Sequence, residues 1–290
     1  MTTQSAITGN TTVYGIIGWP IKHSLSPLMQ NKAFSAAGLD AVFVPFAVEP
    51  KKLPEAVLGL RSLGVAGFNV TIPHKAAIVP LLDELDQTAR LAGAVNVVKN
   101  SNGKLIGFNT DGDGLVRSLE HDLGCHPAGR RVLLVGAGGA ARGALVSLCR
   151  AGAAEVCILN RSAGKAAELI ASCTASDMQT KCSLFDASLA DQHFWNRQEL
   201  IINATSLGMN GEDIPQLKIE ALPATASVYD MVYAPPQTVL LQKAAQRGLK
   251  TANGLGMLAA QGELAFRIWT GVMPRSGLML KTLTDFFVLQ

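Results

Sequence analysis

Polar side chains that could act on a small ligand are spread through the first 111 residues, at or near the ends of short apolar runs. They supply hydroxyls, amides, one cation and one anion, and they are Ser24, Ser26, Thr71, Lys75, Asn96, Asn109 and Asp111. In open α/β sheets, ligands bind at the edge formed by the carboxyl ends of the strands. The mixture suits a small polyhydroxy acid, because each hydroxyl of such a ligand needs a donor or an acceptor.

Each of these residues also has a purely structural explanation. Ser26 is suited to cap a helix that starts with Pro27, and Asp111 is suited to cap a later helix. Asn96 can satisfy backbone groups in a hairpin, and a lone lysine such as Lys75 usually lies at the surface. The hypothesis of a ligand site therefore depends on the whole group rather than on any single member.

A second cluster is rich in glycine. The run 132–135 is wholly apolar, as expected of a strand covered on both faces, and it is followed by Gly136, Ala137, Gly138, Gly139 and Ala140. Glycines permit a tight turn and let backbone N–H groups approach a ligand closely. The next helix directs its positive N-terminus at that turn. With Ala141 the spacing is G-x-G-x-x-A, which indicates a site for the diphosphate of a dinucleotide.

The tip of the next predicted strand indicates which dinucleotide is bound. It reads Asn160-Arg161-Ser162, with Lys165 one turn further on, and it lacks the carboxylate that holds the 2′-hydroxyl of NAD. Cations at this place suit a 2′-phosphate, so we predict NADP rather than NAD. Alternatively, Arg161 and Lys165 belong to a solvated helix start, although two cations oppose the helix dipole there.

The elements that must position these residues alternate between strand and helix. Predicted strands at 13–17, 41–48 and 65–70 are separated by helices, a further helix is expected from 76 to about 82, and 94–98 and 104–108 form a hairpin. Residues 109–114 are predicted to be a turn-rich joint that precedes a helix from about 115 to 122. After the glycine turn the alternation continues, which favours a parallel, doubly wound sheet.

Composition excludes several other classes. The 290 residues are 48% hydrophobic and 16% charged with a net charge of +3, which is ordinary for a globular protein and too small for a nucleic-acid surface. No apolar stretch reaches membrane-spanning length, and the first residues lack the features of a secretory signal. The five cysteines are scattered and form no zinc pattern, so we expect reduced thiols, a cytoplasmic protein and no metal.

Eight motifs, taken in chain order, resemble the successive signatures of the shikimate dehydrogenase family and cover nearly the whole chain after Thr12. They are Ser24-Leu25-Ser26-Pro27, the segments 69–75, 93–96, 109–112, 136–140 and 160–162, Tyr233-Ala234-Pro235, and the segment 254–261. The resemblance implies reversible oxidation of shikimate to 3-dehydroshikimate with NADP, in aromatic amino-acid biosynthesis. It also implies a discontinuous substrate domain (1–110 and 256–290) around a doubly wound, Rossmann-type NADP domain (111–255).

The resemblance further implies the role of each matched residue. The substrate carboxylate would be held by Ser24 and Ser26, its hydroxyls by Thr71, Asn96 and Gln261, and the pocket would be lined by Tyr233. Lys75 and Asp111 would be the catalytic pair. The cofactor would be bound by Gly136, Ala137, Gly138, Gly139, Ala140, Asn160, Arg161, Ser162 and Lys165, with Met231 and Gly254 near the nicotinamide.

Several alternatives stay open at this point. A lysine needs a lowered pKa to act as a base, but a carboxylate neighbour raises it, so Lys75 is either the general base or a cation that stabilises the developing alkoxide. Ser162 and Lys165 depart from the family's more common residues, and the looser phosphate clamp leaves some use of NAD open. A relative of the same superfamily that prefers quinate is a separate alternative. A non-catalytic nucleotide sensor of the same fold is a more distant alternative. Either a monomer or a C2 dimer is expected.

Overall fold

The computed structural model describes residues 6–174 and 179–288. It divides into two compact units, the first made of residues 1–110 and 258–290 and the second of residues 111–257. In the described part of the chain, no helix is both long and apolar enough to cross a membrane.

The first unit contains a six-stranded mixed sheet. Its elements are β1 (Thr12–Gly18), α1 (Ser26–Ala36), β2 (Ala41–Ala47), α2 (Leu53–Ser62), β3 (Gly67–Val70), β4 (Glu84–Leu85), α3 (Gln87–Ala92), β5 (Val97–Ser101) and β6 (Lys104–Phe108). It also contains α10 (Leu278–Val288) and all of α9 (Leu255–Thr270) except its first three residues, which belong to the second unit. The strand order is β2-β1-β3-β5-β6-β4. β1 is parallel to β2 and β3, whereas β5 is antiparallel to both β3 and β6.

This topology explains why one edge of the first sheet collects polar residues. The carboxyl ends of β1, β2 and β3 meet at this edge, because these strands are parallel. Asn69 of β3 pairs with Val97, the first residue of β5, and Val97 pairs with Phe108, the last residue of β6. The segments after β1, β3 and β6 and the segment before β5 therefore all lie at this edge.

The core of the first unit follows from the apolar pattern of its helices and strands. In α2 the buried residues Leu53, Val57 and Leu60 recur at helical spacing, and a proline stands in the first turn. All four residues of β3 are buried. On the face packed by α9, the indole of Trp269 donates a hydrogen bond to the carbonyl of Val98 at 2.9 Å.

The second unit contains a six-stranded sheet in which every pair of strands is parallel. Its elements are α4 (Asp111–Leu123), β7 (Arg131–Val135), α5 (Gly139–Arg150), β8 (Glu155–Leu159), α6 (Ala163–Thr174), β9 (Lys181–Leu184), α7 (Gln192–Asn196), β10 (Leu200–Asn203), β11 (Ser227–Asp230), α8 (Val239–Gln246) and β12 (Lys250–Asn253). The strand order is β9-β8-β7-β10-β11-β12. Successive strands are added on one side from β7 to β9 and on the other side from β10 to β12, so the switch point lies between β7 and β10. This arrangement confirms the predicted α/β class and the doubly wound parallel sheet.

Two local predictions are wrong, and some short elements were not predicted. The helix expected from 76 to about 82 is wrong: turns lead into a single 3₁₀ turn, Val79–Leu81, because Pro80 lacks the N–H that a longer helix needs. The joint expected at 109–114 is wrong at its end, since α4 already begins at Asp111, with Asp111 and Asp113 in its first turn. The short elements β4, α3, β9 and α7 were not predicted, because they are too brief for a periodic pattern.

Candidate functional site

The loop after β3 lies directly against the end of β1. A β-carbon at Gly18, the last residue of β1, would come within 2.4 Å of the Thr71 methyl, so only glycine allows this approach. The loop is also tied to β1 by the backbone, since Thr71 N–H donates to the carbonyl of Ile17 at 3.0 Å and Trp19 N–H donates to the carbonyl of Ile72 at 3.0 Å. Thr71 is half-buried at this edge.

Lys75 is half-buried, and the backbone around it is held from two sides. Its carbonyl accepts a hydrogen bond from the N–H of Val95 at 2.8 Å. The preceding residue, His74, is buried, and its ring donates Nε2–H to the carbonyl of Val48 at 2.7 Å. His74 was not among the predicted site residues, although its place in the same motif is a usable signal.

Asn96 is the centre of a buried polar network at this edge. Its Nδ2 donates to Thr110 Oγ1 at 3.0 Å and to Gln261 Oε1 at 3.4 Å. Its Oδ1 accepts from Thr110 N–H at 2.8 Å, and Thr110 Oγ1 donates to the carbonyl of Gln261 at 3.1 Å. Asn96 and Gln261, which are far apart in sequence, are therefore brought together. Thr110 is a linking residue that sequence reasoning missed.

Two buried acceptors of the described part of the first unit, Gln30 Oε1 and Asn69 Oδ1, have no protein partner, and Asn69 lies at the polar edge. Asn69 is 4% exposed and donates from Nδ2 to the carbonyl of Asn96 at 3.0 Å. Its Oδ1 lacks a hydrogen-bond partner among the described residues. A buried acceptor of this kind can be satisfied by a ligand hydroxyl. Sequence reasoning did not single out Asn69, which lies two residues before Thr71 on the same strand end.

Ser24 and Ser26 lie on the connection from β1 to α1. Ser24 is half-buried, and its Oγ accepts a hydrogen bond from the N–H of Ser26 at 3.3 Å. Ser26 is buried and is the first residue of α1, so the expected cap role of Ser26 is wrong: Leu25 occupies the cap position, and its own side chain makes no cap hydrogen bond. The N-terminus of α1 therefore lies at the same edge as the two hydroxyls, and the Ser24 hydroxyl accepts from the first N–H of the helix.

The glycine turn of the second unit leads from β7 into α5. Gly136 has a φ of 114°, and a β-carbon there would approach the Thr205 methyl within 2.9 Å. Gly138, Gly139 and Ala140 are exposed, and a β-carbon at either glycine would meet nothing within 4 Å. α5 has no side-chain cap. Open space in front of an uncapped helix N-terminus fits an anionic diphosphate.

The tip of β8 presents exposed cations. Asn160 Nδ2 donates to the carbonyl of Ser162 at 2.8 Å, and Ser162 Oγ accepts from the N–H of Lys165 at 3.5 Å, which shapes the turn into α6. Arg161 and Lys165 are exposed. Within residues 6–174 and 179–288, neither forms a salt bridge, so both charges are available to a phosphate.

The remaining predicted residues of the second unit lie on three segments. Tyr233 is half-buried on the loop after β11, and burial raises the pKa of its hydroxyl. A β-carbon at Gly254 would come within 2.2 Å of the carbonyl oxygen of Met231, so the end of β12 touches that same loop. Asp111 is the half-buried first residue of α4. Lys75 and Asp111 belong to different units, and their pairing stays a prediction.

The parallel doubly wound sheet, the uncapped glycine turn and the cationic tip of β8 together define the second unit as a dinucleotide-binding domain of the Rossmann type. Residues 16–98 match the family model for the shikimate dehydrogenase substrate-binding domain, residues 119–208 that for shikimate/quinate 5-dehydrogenase, and residues 254–284 that for the shikimate 5′-dehydrogenase C-terminal domain. The chain therefore belongs to the shikimate dehydrogenase family.

Individual relatives cover nearly the whole chain. A shikimate dehydrogenase (NADP(+)) of Geobacter metallireducens is 54% identical over 275 residues, which are 94% of this chain and 96% of the relative. A solved shikimate dehydrogenase in complex with NADP+ is 40% identical and covers 98% of each chain, with a TM-score of 0.86. A ligand-free 5-ketofructose reductase of a Gluconobacter strain is 35% identical, with a TM-score of 0.87 over 97% of this chain and 100% of the other.

Proposed function

We propose that this protein catalyses the reversible, NADP-dependent oxidation of shikimate to 3-dehydroshikimate, a step of aromatic amino-acid biosynthesis. The observation that carries the proposal is the 54% identity, along 94% of the chain, to a shikimate dehydrogenase (NADP(+)). Each unit also supplies what the reaction requires: one presents hydroxyls and amides for a polyhydroxy acid, and the other presents sites for a diphosphate and a further phosphate.

The substrate is assigned to the polar edge of the first unit. Ser24 and Ser26 bind the carboxylate, which the N-terminus of α1 also favours. The ring hydroxyls bind to Thr71, Asn96 and Gln261, and Tyr233 lines the same pocket. The unpartnered Oδ1 of Asn69 supports this assignment, because it can accept a hydrogen bond from a substrate hydroxyl.

The cofactor is assigned to the second unit. The turn from Gly136 to Ala140 holds the diphosphate, and Asn160, Arg161, Ser162 and Lys165 form the side that takes the 2′-phosphate. Met231 and Gly254 lie toward the nicotinamide. When bound, NADP supplies the acceptor for the hydride that leaves the carbinol carbon of the substrate.

Lys75 is assigned to act on the reacting hydroxyl as the hydroxyl loses its proton, and Asp111 is the catalytic partner of Lys75. Lys75 acts in one of two ways: as a neutral amine it takes the proton, and as a cation it stabilises the developing alkoxide while water takes the proton. The pH dependence of kcat separates the two, since a base requires deprotonation of Lys75 and an electrostatic stabiliser requires its charge.

The proposal is tested by steady-state kinetics on a two-by-two matrix of shikimate or quinate with NADP+ or NAD+. We expect the highest kcat/KM for shikimate with NADP+. A higher value for quinate or for NAD+ would instead identify a quinate dehydrogenase or an enzyme with relaxed cofactor use. Absence of NADP+ reduction with either acid, despite measurable NADP+ binding, would indicate a nucleotide sensor and contradict the proposal.

We further propose that the enzyme acts in the cytoplasm, as a monomer or a homodimer. Cys125, Cys149, Cys157 and Cys182 are not joined in disulfides, as expected in a reducing compartment. Sedimentation equilibrium of the purified chain distinguishes the two oligomeric states.

A further inference from the structure

The second unit contains a fully buried carboxylate that the proposed reaction does not use. Asp230 is the last residue of β11 and is 0% exposed. No Lys, Arg or His within the described ranges forms an ion pair with it. Burial raises the pKa of its carboxyl. A buried carboxylate without a counter-ion is costly, so its hydrogen bonds must compensate.

Three donors converge on Asp230. Its Oδ1 accepts from Asn203 Nδ2 at 2.9 Å and from the N–H of Val232 at 3.0 Å, and its Oδ2 accepts from Thr238 Oγ1 at 2.7 Å. Asn203 and Asp230 are register partners on β10 and β11. The carboxylate therefore connects two strand ends and the beginning of a helix.

The network also fixes which groups face Asp230. Asn203 Oδ1 already accepts from the N–H of Thr205 at 3.0 Å and from its hydroxyl at 2.7 Å, so the amide must turn its Nδ2 toward the carboxylate. Thr238 Oγ1 accepts from the N–H of Leu241 at 3.4 Å, so its hydrogen is free to point at Asp230. The partners of Asp230 can therefore all donate, and the carboxylate form accepts a hydrogen bond from each of them.

Through these bonds Asp230 holds two loops. The nicotinamide-side loop, residues 231–237, is closed at one end by Val232 and at the other by Thr238, and it carries Met231 and Tyr233. The turn-side loop, residues 204–208, begins after Asn203, whose Nδ2 also donates to the carbonyl of Leu207 at 3.0 Å.

The two loops are packed together and against the glycine turn. A β-carbon at Gly208 would lie 3.1 Å from Thr238, and one at Gly136 would lie 2.9 Å from the Thr205 methyl. The carboxyl ends of β7, β10 and β11 stand side by side, since Val135, Asn203 and Asp230 are in register. A displacement of Asp230 would therefore move the loops that border this end of the cofactor site.

We propose that Asp230 is a positioning residue that fixes the turn-side and nicotinamide-side loops for the nicotinamide half of NADP. The inference rests on the proposed function. In a doubly wound sheet each half binds one mononucleotide, and the β7–β9 half carries the 2′-phosphate cations. Asp230 belongs to the β10–β12 half, so its effect is directed at the nicotinamide and spares the adenosine.

The test compares two ligands, NADP+ and adenosine 2′,5′-bisphosphate, by isothermal titration calorimetry. Thr238→Val removes the hydroxyl that donates to Asp230 while keeping the side-chain shape, and Thr238→Ser keeps the hydroxyl as the matched control. We expect Thr238→Val to bind NADP+ about tenfold more weakly, because a donor to a buried carboxylate is lost. The same variant should bind the bisphosphate within about twofold of the wild type, and Thr238→Ser should resemble the wild type with both ligands.

Asp230→Asn places an amide where the network offers only donors, and we expect a larger loss of NADP+ affinity with the same sparing of the bisphosphate. If this variant does not fold, the comparison of Thr238→Val with Thr238→Ser tests the positioning role instead. Unchanged NADP+ affinity in Thr238→Val, or equal weakening of both ligands, would overturn the positioning role. Failure of the wild type itself to bind NADP+ would overturn the proposed function instead.

Discussion

The carboxyl edges of the two sheets are built around different kinds of hydrogen-bonding group. The first is organised around an amide, Asn96, whose partners Thr110 and Gln261 are also uncharged. The second is organised around a carboxylate, Asp230, which only accepts. Amides and hydroxyls donate and accept, so they can match the hydroxyls of a sugar-like acid. A carboxylate can only accept hydrogen bonds. Asp230 accepts them from donors in or next to two loops and therefore fixes those loops.

The two edges also differ in how they attract negative charge. The first offers serine hydroxyls and a helix N-terminus, which suit a single carboxylate. The second adds exposed cations, Arg161 and Lys165, to its uncapped helix. The difference predicts a division of labour, in which changes at the polar edge of the first unit affect shikimate and changes at the glycine turn and the tip of β8 affect NADP.

The largest effect is expected for Lys75→Ala. Loss of the group that handles the hydroxyl proton should lower kcat by roughly 100- to 10,000-fold, with a much smaller change in KM for shikimate. NADP+ affinity, measured by calorimetry, should be unchanged because Lys75 belongs to the first unit. Lys104→Ala, which removes an exposed ion pair with Glu84, is the control. An undiminished kcat would remove Lys75 from the mechanism.

A smaller effect is expected for Asn96→Ala. It removes a buried donor and acceptor from the network with Thr110 and Gln261, so kcat/KM for shikimate should fall by about 10- to 100-fold. The exposed Asn10→Ala in the same unit is the matched control. If Asn96→Ala weakened NADP+ binding as much as shikimate turnover, the proposed division between the two edges would be wrong.

The next effect concerns the cofactor and is expected for Arg161→Ala. Loss of one exposed cation should raise KM for NADP+ by about tenfold and leave KM for NAD+ nearly unchanged, since NAD+ lacks the 2′-phosphate. Arg197→Ala, which removes a guanidinium of the same unit that pairs with Glu155, is the control. Equal changes for the two cofactors would place the 2′-phosphate elsewhere.

The smallest effect is expected for Glu212→Gln and concerns stability. Hydrogen bonds from the side chain and N–H of Asn210 and from the N–H of Gly208 lower the Glu212 pKa from 4.5 to about 2. A lowered carboxyl pKa stabilises the fold above the unfolded value near 4.5, and this stabilisation is lost as the pH falls toward about 2. The variant should therefore melt about 2 °C or less below the wild type at pH 7.

The difference in Tm between wild type and Glu212→Gln should shrink as the pH is lowered through 4.5. Differential scanning calorimetry at several pH values checks this. A difference that stays constant with pH would show that the ionised carboxylate is not the stabilising form.

The sequence predicted each sheet except for one short strand, β4 in the first and β9 in the second, and particular residues show why. The apolar run that became β7 and the glycines after it are local signals, so the turn into α5 was predictable. Residues 76–82, after Lys75, are apolar throughout, yet Pro80 and the hydrogen bond between Lys75 and Val95 leave only a 3₁₀ turn there. Short elements such as β9 depend on pairing with a neighbour, here β8, and have little local signature.

The sequence by itself determined the fold class, the dinucleotide turn and the residue types of both sites, because these depend on patterns within a few residues. Only the tertiary structure joined Asn96 to Gln261 and Asn203 to Asp230. It also showed that Asn69 Oδ1 has no hydrogen-bond partner among the described residues and that Leu25, at the cap position of α1, makes no side-chain cap hydrogen bond. These features depend on strand order and on what fills the space around each side chain, and contacts between residues distant along the chain decide both.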